Sequence, residues 1–392
     1  MNTNEIKQLK LMIQQDIDSH REELVNLSLK IHKNPEVCWQ EKKASRWLSN
    51  YLESYGFRVQ KEPHNLPTAF EASYGIGKPI VAVLCEYDSP TEQEHSCGHN
   101  IIATSAVGAS IASKSIVDKF GGTILVLGCP AEECLGGKVI MVEDGAFKNI
   151  DVTMMLHPIG QHNWVGSRST ACIYLKVEFW GKRAHTAHNP WDGISALEAL
   201  LQSFHNIDAL RFQTREKSRI SGIITDGGKA ANIVPEHSSG TFMIRAADDT
   251  YLEELRDKVL NCFKAASLST GARLEHQWGM KCNAMNPNNS LVQLWSHNME
   301  QLGLSVAGIL ESTNSTDMGN VSVVVPSMHP YIAISSEPII PHTSQFTEAA
   351  ISDAGKKATI DGAKALAMTV TDVLIEPNNL TRIRNEFLNK DE

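Results

Sequence analysis

Apolar residues recur along this chain at two different periods, and the change from one to the other divides it. Residues 79–85 form a continuous apolar run rich in Val and Ile, as in a strand buried on both faces. Residues 101–115 follow with Ala, Ile and Val at helical spacing. A second buried strand is expected over 122–128, a helix over 138–147 and a third strand over 152–156. Strands alternating with helices imply right-handed crossovers and a mainly parallel, doubly wound α/β sheet. Such sheets bind ligands beyond the carboxyl ends of their strands.

After Gly166 the period becomes two. Residues 172–180 alternate apolar and polar, as a strand with one wet face does. A helix (193–210), two strands (219–225 and 240–245), a helix (252–269) and a strand (273–278) complete the order β-α-β-β-α-β of a ferredoxin-like α+β unit. Asp226-Gly227-Gly228-Lys229 reads as a hairpin turn. From Met285 helical spacing returns, followed by an apolar strand over 321–325 and a long helix over 345–374. The expected organisation is a lid or dimerisation domain over 169–282. It is inserted between 1–168 and 283–392, which jointly form a larger catalytic domain.

Composition narrows the class. With 392 residues, 42% hydrophobic and 21% charged, the chain reads as a globular protein of two domains. A net charge of -9 disfavours nucleic acid or an anionic membrane as partner. The first 34 residues mix Lys, Glu, Asp and Gln with apolar residues at helical spacing, an amphipathic helix rather than a secretory signal. No apolar stretch reaches the ~20 residues expected of a membrane span. The expectation is a cytoplasmic protein with reduced thiols. Its 8 cysteines contain no CxxC pair, so neither a disulfide framework nor a zinc ribbon is expected. Cys38, Cys172 and Cys262 read as inert core thiols.

The chemistry gathers at the strand ends. Glu86 and Asp88, then Cys97 and His99, follow the first strand; Glu132 and Glu133 follow the second; the third ends on His157. Each residue alone has a structural explanation, but three strand ends converge on one sheet edge with metal-ligand types. Cys97-Gly98-His99 lets a thiolate and an imidazole face one point. Adjacent carboxylates must diverge, so one can hold metal while the other moves protons. Cys, His and Glu together suit zinc, or manganese less well because thiolate is soft. A metal lowers the pKa of bound water and a neighbouring carboxylate takes its proton.

These segments, with 130–137 and 315–322, resemble the co-catalytic metallopeptidase and amidohydrolase family of aminoacylase, carnosinase and hippurate hydrolase. Glu86-Tyr87-Asp88, Ser96-Cys97-Gly98-His99-Asn100, residues 316–322 and residues 189–193 are similar to its aminobenzoyl-glutamate hydrolase and Xaa-Arg/β-alanyl-lysine dipeptidase branch. The resemblance implies two divalent ions per chain, zinc or manganese, with Cys97 touching both and His99, Glu133, His157 and His342 completing their shells. Glu132 is then the general base, and Asp88 orients a ligand. Asn232, and less strongly Arg245, would bind the substrate's free carboxylate. His185 would cross a two-fold interface to stabilise the oxyanion in the partner's site. The implied substrate is a small molecule, a dipeptide or N-acyl amino acid, and the implied assembly is a homodimer or a higher homo-oligomer. At 89–94 the chain carries Ser-Pro-Thr-Glu-Gln-Glu where the branch has an Ala-Leu-Pro-Gly-Ile-Gly type of loop, which bears on substrate preference.

Other readings are an amidohydrolase of aminobenzoyl-glutamate or other N-acyl amino acids without dipeptidase activity, and a metal- or peptide-binding module without catalysis. The intact Glu132 opposes the second. A nucleotide site is opposed by the absence of GxGxxG after the first strand.

Overall fold

The computed structural model describes residues 2–134 and 136–389. Two compact units emerge. One contains the chain through Arg168, Met285–Glu311 and the residues from Asn320 onward; the other is Ser169–Ala284 with Ser312–Gly319. That short second segment of the smaller unit leaves no mark in the periodicity of the sequence.

The larger unit holds a six-stranded sheet in the order Arg58–Lys61, Phe70–Ile76, Gly122–Cys129, Ile80–Glu86, Val152–Met154 and Ser327–Met328. The last four run parallel and the first two pair antiparallel at one edge. Val81–Glu86 is buried residue by residue, which accounts for its unbroken apolar run. The helix His99–Ala112 is buried on every side. A Cβ on Gly108 would come within 2.8 Å of a Leu24 methyl, so a larger residue there would make the Leu24 side chain shift.

Several sequence expectations for this unit need correction. The helical stretch His99–Phe120 is long and apolar enough to span a membrane, contrary to the expectation, although 89% of it is buried inside the fold. The amphipathic start is two helices, Thr3–Ser19 and Arg21–His32. The strand expected over 321–325 is the end of the helix Met318–Ser322 and a turn; the strand is Ser327–Met328. Met318 and Val321 are buried three residues apart while Val323 and Val324 are 43% and 47% exposed, a helical spacing inside an apolar run. The long helix is broken at Ser352, whose side chain accepts from the Gly355 backbone and starts Asp353–Ile375 after Ser344–Ile351. A second, four-stranded sheet was not anticipated. Its order is Val306–Glu311, Asn163–Arg168, Tyr331–Ala333, His157–Ile159, and its strands are short and only partly buried.

The smaller unit runs Ala171–Trp180, helix Ala196–Arg211, Arg219–Asp226, His237–Ala246, helix Asp249–Thr270 and Arg273–Cys282. Its sheet places the fourth strand first, then the first, third and second, all antiparallel. This is the expected ferredoxin-like order. Ile173, Leu175, Val177 and Phe179 alternate inward and pack with Leu200, Leu252, Val259 and Phe263 of the helices. Each such side chain contributes roughly 1.5–3 kcal/mol by leaving water. Asp226–Lys229 does not form a tight hairpin: the strand ends at Asp226 and the next begins at His237.

Candidate metal centre and catalytic site

The loop after Ile80–Glu86 positions the first donors. Gly98 has φ +78, and a Cβ there would lie 2.5 Å from the Pro158 ring, so only glycine fits between Cys97 and His99. His99 begins the helix His99–Ala112, and its Nδ1 lies 3.0 Å from Asp88 Oδ1. With the Nδ1 proton donated to Asp88, Nε2 presents its lone pair. Cys97 Sγ lies 3.6 Å from His157 Nε2, while His157 Nδ1 donates to the Pro158 carbonyl at 2.7 Å. Cys97, His99 and His157 thus bring ligand atoms within 4.8 Å of one another. His329 and Tyr331 wall the His157 ring, at 5.6 and 5.7 Å between centroids.

The strand Gly122–Cys129 delivers the carboxylates. Ala131 takes φ 58, and its N–H donates to Glu41 Oε1 at 2.9 Å. Burial, and then the nearby Asp88, push Glu41 up to about 7. The Glu133 N–H donates to Asp88 Oδ2 at 2.9 Å, so one aspartate orients His99 and the Glu133 turn together. The chain returns tightly, since a Cβ on Gly137 would overlap the Pro130 carbonyl. Glu133 Oε2 lies 3.2 Å from His342 Nε2, and its Oε1 lies 3.7 Å from His99 Nε2. His342 is brought in by a backbone bond from its N–H to the Ser96 carbonyl, at 2.8 Å. It sits at φ 67, a conformation unusual outside glycine and often retained where a site needs it. Cys97, Glu133 and His342 form a second group of ligand atoms, and His99, Glu132 and Glu133 a third.

The thiol expectation fails beside this turn. Cys38 is not an inert core residue but is joined to Cys134 in a disulfide, next to Glu133 in sequence. Cys38 Sγ also lies 3.7 Å from Asp88 Oδ2. The partners are 96 residues apart, a pairing that spacing alone does not reveal. Cys172 is buried, and Cys262 is only partly so.

The electrostatics suit a cation. His99 Nε2 and Glu133 Oε1 are buried, make no hydrogen bond and face each other. Unmet donors and acceptors of this kind are costly unless an ion satisfies them. Burial opposes charge on His99, but Cys97 and Asp88 outweigh it and raise its pKa. Burial, then the Glu133 charge, push the Cys97 thiol up. Adjacent positive charge would reverse this and let it ionise. Burial also lowers His157 to about 4, keeping the ring neutral and able to coordinate. The donor set therefore fits divalent ions.

Two candidate residues of the smaller unit are brought together. His185 forms a bridge with Ile233, and the Thr186 N–H donates to the Asn232 carbonyl at 3.2 Å. His185 is exposed, and its Nδ1 accepts from the Ala187 N–H at 3.1 Å, so the neutral ring carries its proton on Nε2. Arg245 does not join them. It lies near the far end of His237–Ala246, about 26 Å along the strand from His237, paired in register with Cys172 and donating to Ser315 Oγ at 2.5 Å. Sequence reading also missed Glu41 and the pairing of Glu86 with Lys138, since neither occupies a recognisable motif.

Comparison with known proteins places the whole chain beside named peptidases and hydrolases. Residues 171–270 match the model of a peptidase dimerisation domain. The chain is 37% identical to the Xaa-Arg dipeptidase of Mus musculus, over 98% of this chain and 93% of that protein. It is 32% identical to one chain of the p-aminobenzoyl-glutamate hydrolase of Escherichia coli, over 74% of this chain and 66% of the other. A Bacillus subtilis dinuclear metal-binding peptidase of the M20 family has a similar fold: TM-score 0.72 at 17% identity, covering 91% of this chain and 99% of that one.

Proposed function

The chain belongs to the M20 family of metallopeptidases, and on that premise we propose that it hydrolyses an amide bond beside a free carboxylate, in dipeptides or N-acyl amino acids. The observation that carries this reading is the convergence of Cys97, His99, Glu133, His157 and His342, with Glu132 alongside. These five would hold two divalent ions, with Cys97 common to both groups.

Such ions supply Lewis-acid polarisation of the scissile carbonyl and a lowered pKa for the attacking water. Everything else falls to the chain. Glu133 faces both His99 and His342 and so is the better ligand. Glu132 joins neither Cys97 nor His342 in a donor group, and its carboxylate would take the proton from water and return it to the leaving nitrogen. Asp88 keeps the His99 ring and the Glu133 backbone in register. His185, with its proton on Nε2, would donate to the oxyanion of a neighbouring protomer's substrate. The Asn232 segment beside it would receive the substrate carboxylate. Copies of the chain would pair through the dimerisation domain, and zinc and manganese are the metals the donor set favours.

The test is turnover of a panel of dipeptides and N-acyl amino acids with zinc or manganese added. The same substrates amidated at the free carboxylate should not be cleaved. Absence of any metal-dependent amidase activity across the panel would overturn the reading.

A further inference from the structure

The buried pair of Glu86 and Lys138 has no part in the chemistry above. Both side chains are fully buried, and Lys138 Nζ lies 2.5 Å from Glu86 Oε1. Glu86 ends the strand Ile80–Glu86, and Lys138 lies in the first turn of the helix Gly137–Glu143, directly after the Glu132–Glu133 turn. Two buried charges are a costly way to stabilise a core, and apolar residues of similar size often serve as well or better.

The second oxygen explains more than the pair does. Glu86 Oε2 is buried and makes no hydrogen bond. It lies 3.7 Å from His99 Nε2, which is likewise without a hydrogen bond. Glu133 Oε1 stands at the same 3.7 Å from that nitrogen. Asp88 already holds His99 Nδ1, so the ring turns its unshared pair toward the two carboxylates. Neighbouring donors on one ion, with bonds of ~2.0–2.2 Å, lie about 3–3.5 Å apart by tetrahedral geometry. A separation of 3.7 Å is too long for a hydrogen bond and close to that of two ligands sharing an ion.

We propose that Glu86 is a further metal ligand, with Oε2 joining His99 Nε2 on one of the two ions while Lys138 clamps Oε1. Lys138 then does two things. It fixes the rotation of the carboxylate so that one oxygen faces His99, and it offsets one negative charge in a cluster already holding Cys97 and Glu133. The inference rests on the metal centre proposed above and adds a donor to it.

The experiment measures metal binding, not activity. Chelator-stripped protein is reloaded with zinc or manganese, ions per chain are counted by atomic emission, and affinities are read by competition with a chromophoric chelator. Wild type should hold two ions; if it does not, the reading of the site is at fault rather than the role of Glu86. Glu86→Gln should lose one ion, or bind it at least about tenfold more weakly. That variant removes the negative charge facing the buried Lys138, so two others guard against a folding failure. Glu86→Asp keeps the charge opposite Lys138 but withdraws the oxygen by one methylene, and should weaken the same ion. Glu86→Gln with Lys138→Met removes the charged pair entirely and should behave as the single variant does. Two ions bound at wild-type affinity in Glu86→Asp and in the double variant would make Glu86 merely the partner of Lys138, and would overturn the proposal.

Discussion

Asp88 accepts the Nδ1 proton of His99 at 3.0 Å, and this one contact decides which nitrogen of the ring faces the other metal-binding groups. Its second oxygen accepts the Glu133 N–H at 2.9 Å. Asp88→Asn could present an N–H to His99 in place of an acceptor and so favour the wrong tautomer. Metal affinity should fall by roughly 10–100-fold with the fold intact. Chelator competition on the purified variant measures it, and unchanged affinity would show that Asp88 does not orient the site.

The adjacent carboxylates should separate by phenotype. Glu132→Gln cannot accept a proton but leaves the metal groups of Cys97, Glu133 and His342 in place. Its metal content should survive while the rate falls by roughly 10²–10⁴. Glu133→Gln should instead lose metal. Atomic emission and a turnover assay on both proteins would detect a reversal of these roles.

A crossed active site can be tested with two inactive proteins. Glu132→Gln and His185→Ala are mixed under conditions that exchange protomers. Random mixing makes about half the dimers mixed, each with one site holding both intact residues, so activity should recover to about a quarter of wild type. If His185 acts within its own chain, no site is complete and no activity returns, with exchange verified independently.

The thiol inventory follows from the disulfide. Of 8 cysteines, Cys38 and Cys134 are paired, leaving six thiols to titrate in denaturant without reductant and eight after reduction. Reduction should also lower stability by about 2–4 kcal/mol, because the bond closes a long loop in the unfolded chain. Eight thiols before reduction would show the pair to be open.

His64 should shape the pH profile of stability. Its Nδ1 lies 2.5 Å from Asp144 and its Nε2 2.9 Å from Glu71, joining the strand Phe70–Ile76 to the end of the helix Gly137–Glu143. Burial opposes its charge, but Glu71 and Asp144 prevail and its pKa is raised. A raised histidine contributes fully below its unfolded value of about 6.5, and the contribution fades as pH climbs through the folded value. Thermal midpoints of the chelated protein should therefore decline between about pH 6 and 8, and more gently in His64→Gln. Parallel slopes for the two proteins would remove His64 from the account.

Much of this protein follows from its sequence alone. Burial on both faces makes Ile80–Glu86 and Gly122–Cys129 continuous apolar runs, and one wet face makes Ala171–Trp180 alternate, so these elements and both layouts are legible locally. Cys97, His99, Glu132 and Glu133 follow strand ends because a parallel sheet delivers all its carboxyl ends to one edge, whereas His157, expected to end the third strand, instead opens His157–Ile159 of the second sheet, beyond Val152–Met154. Tertiary structure decided what depends on partners distant along the chain. His342 reaches Glu133 only because its N–H meets Ser96, and neither residue announces the other. The Cys38–Cys134 bond, the Glu86–Lys138 pair and the capture of Ala131 by Glu41 are likewise long-range, with no period to betray them. Apolar runs such as 321–325 are ambiguous for the same reason. Helix and strand both bury valine, and only the neighbours that cover Val321 and leave Val323 exposed select between them.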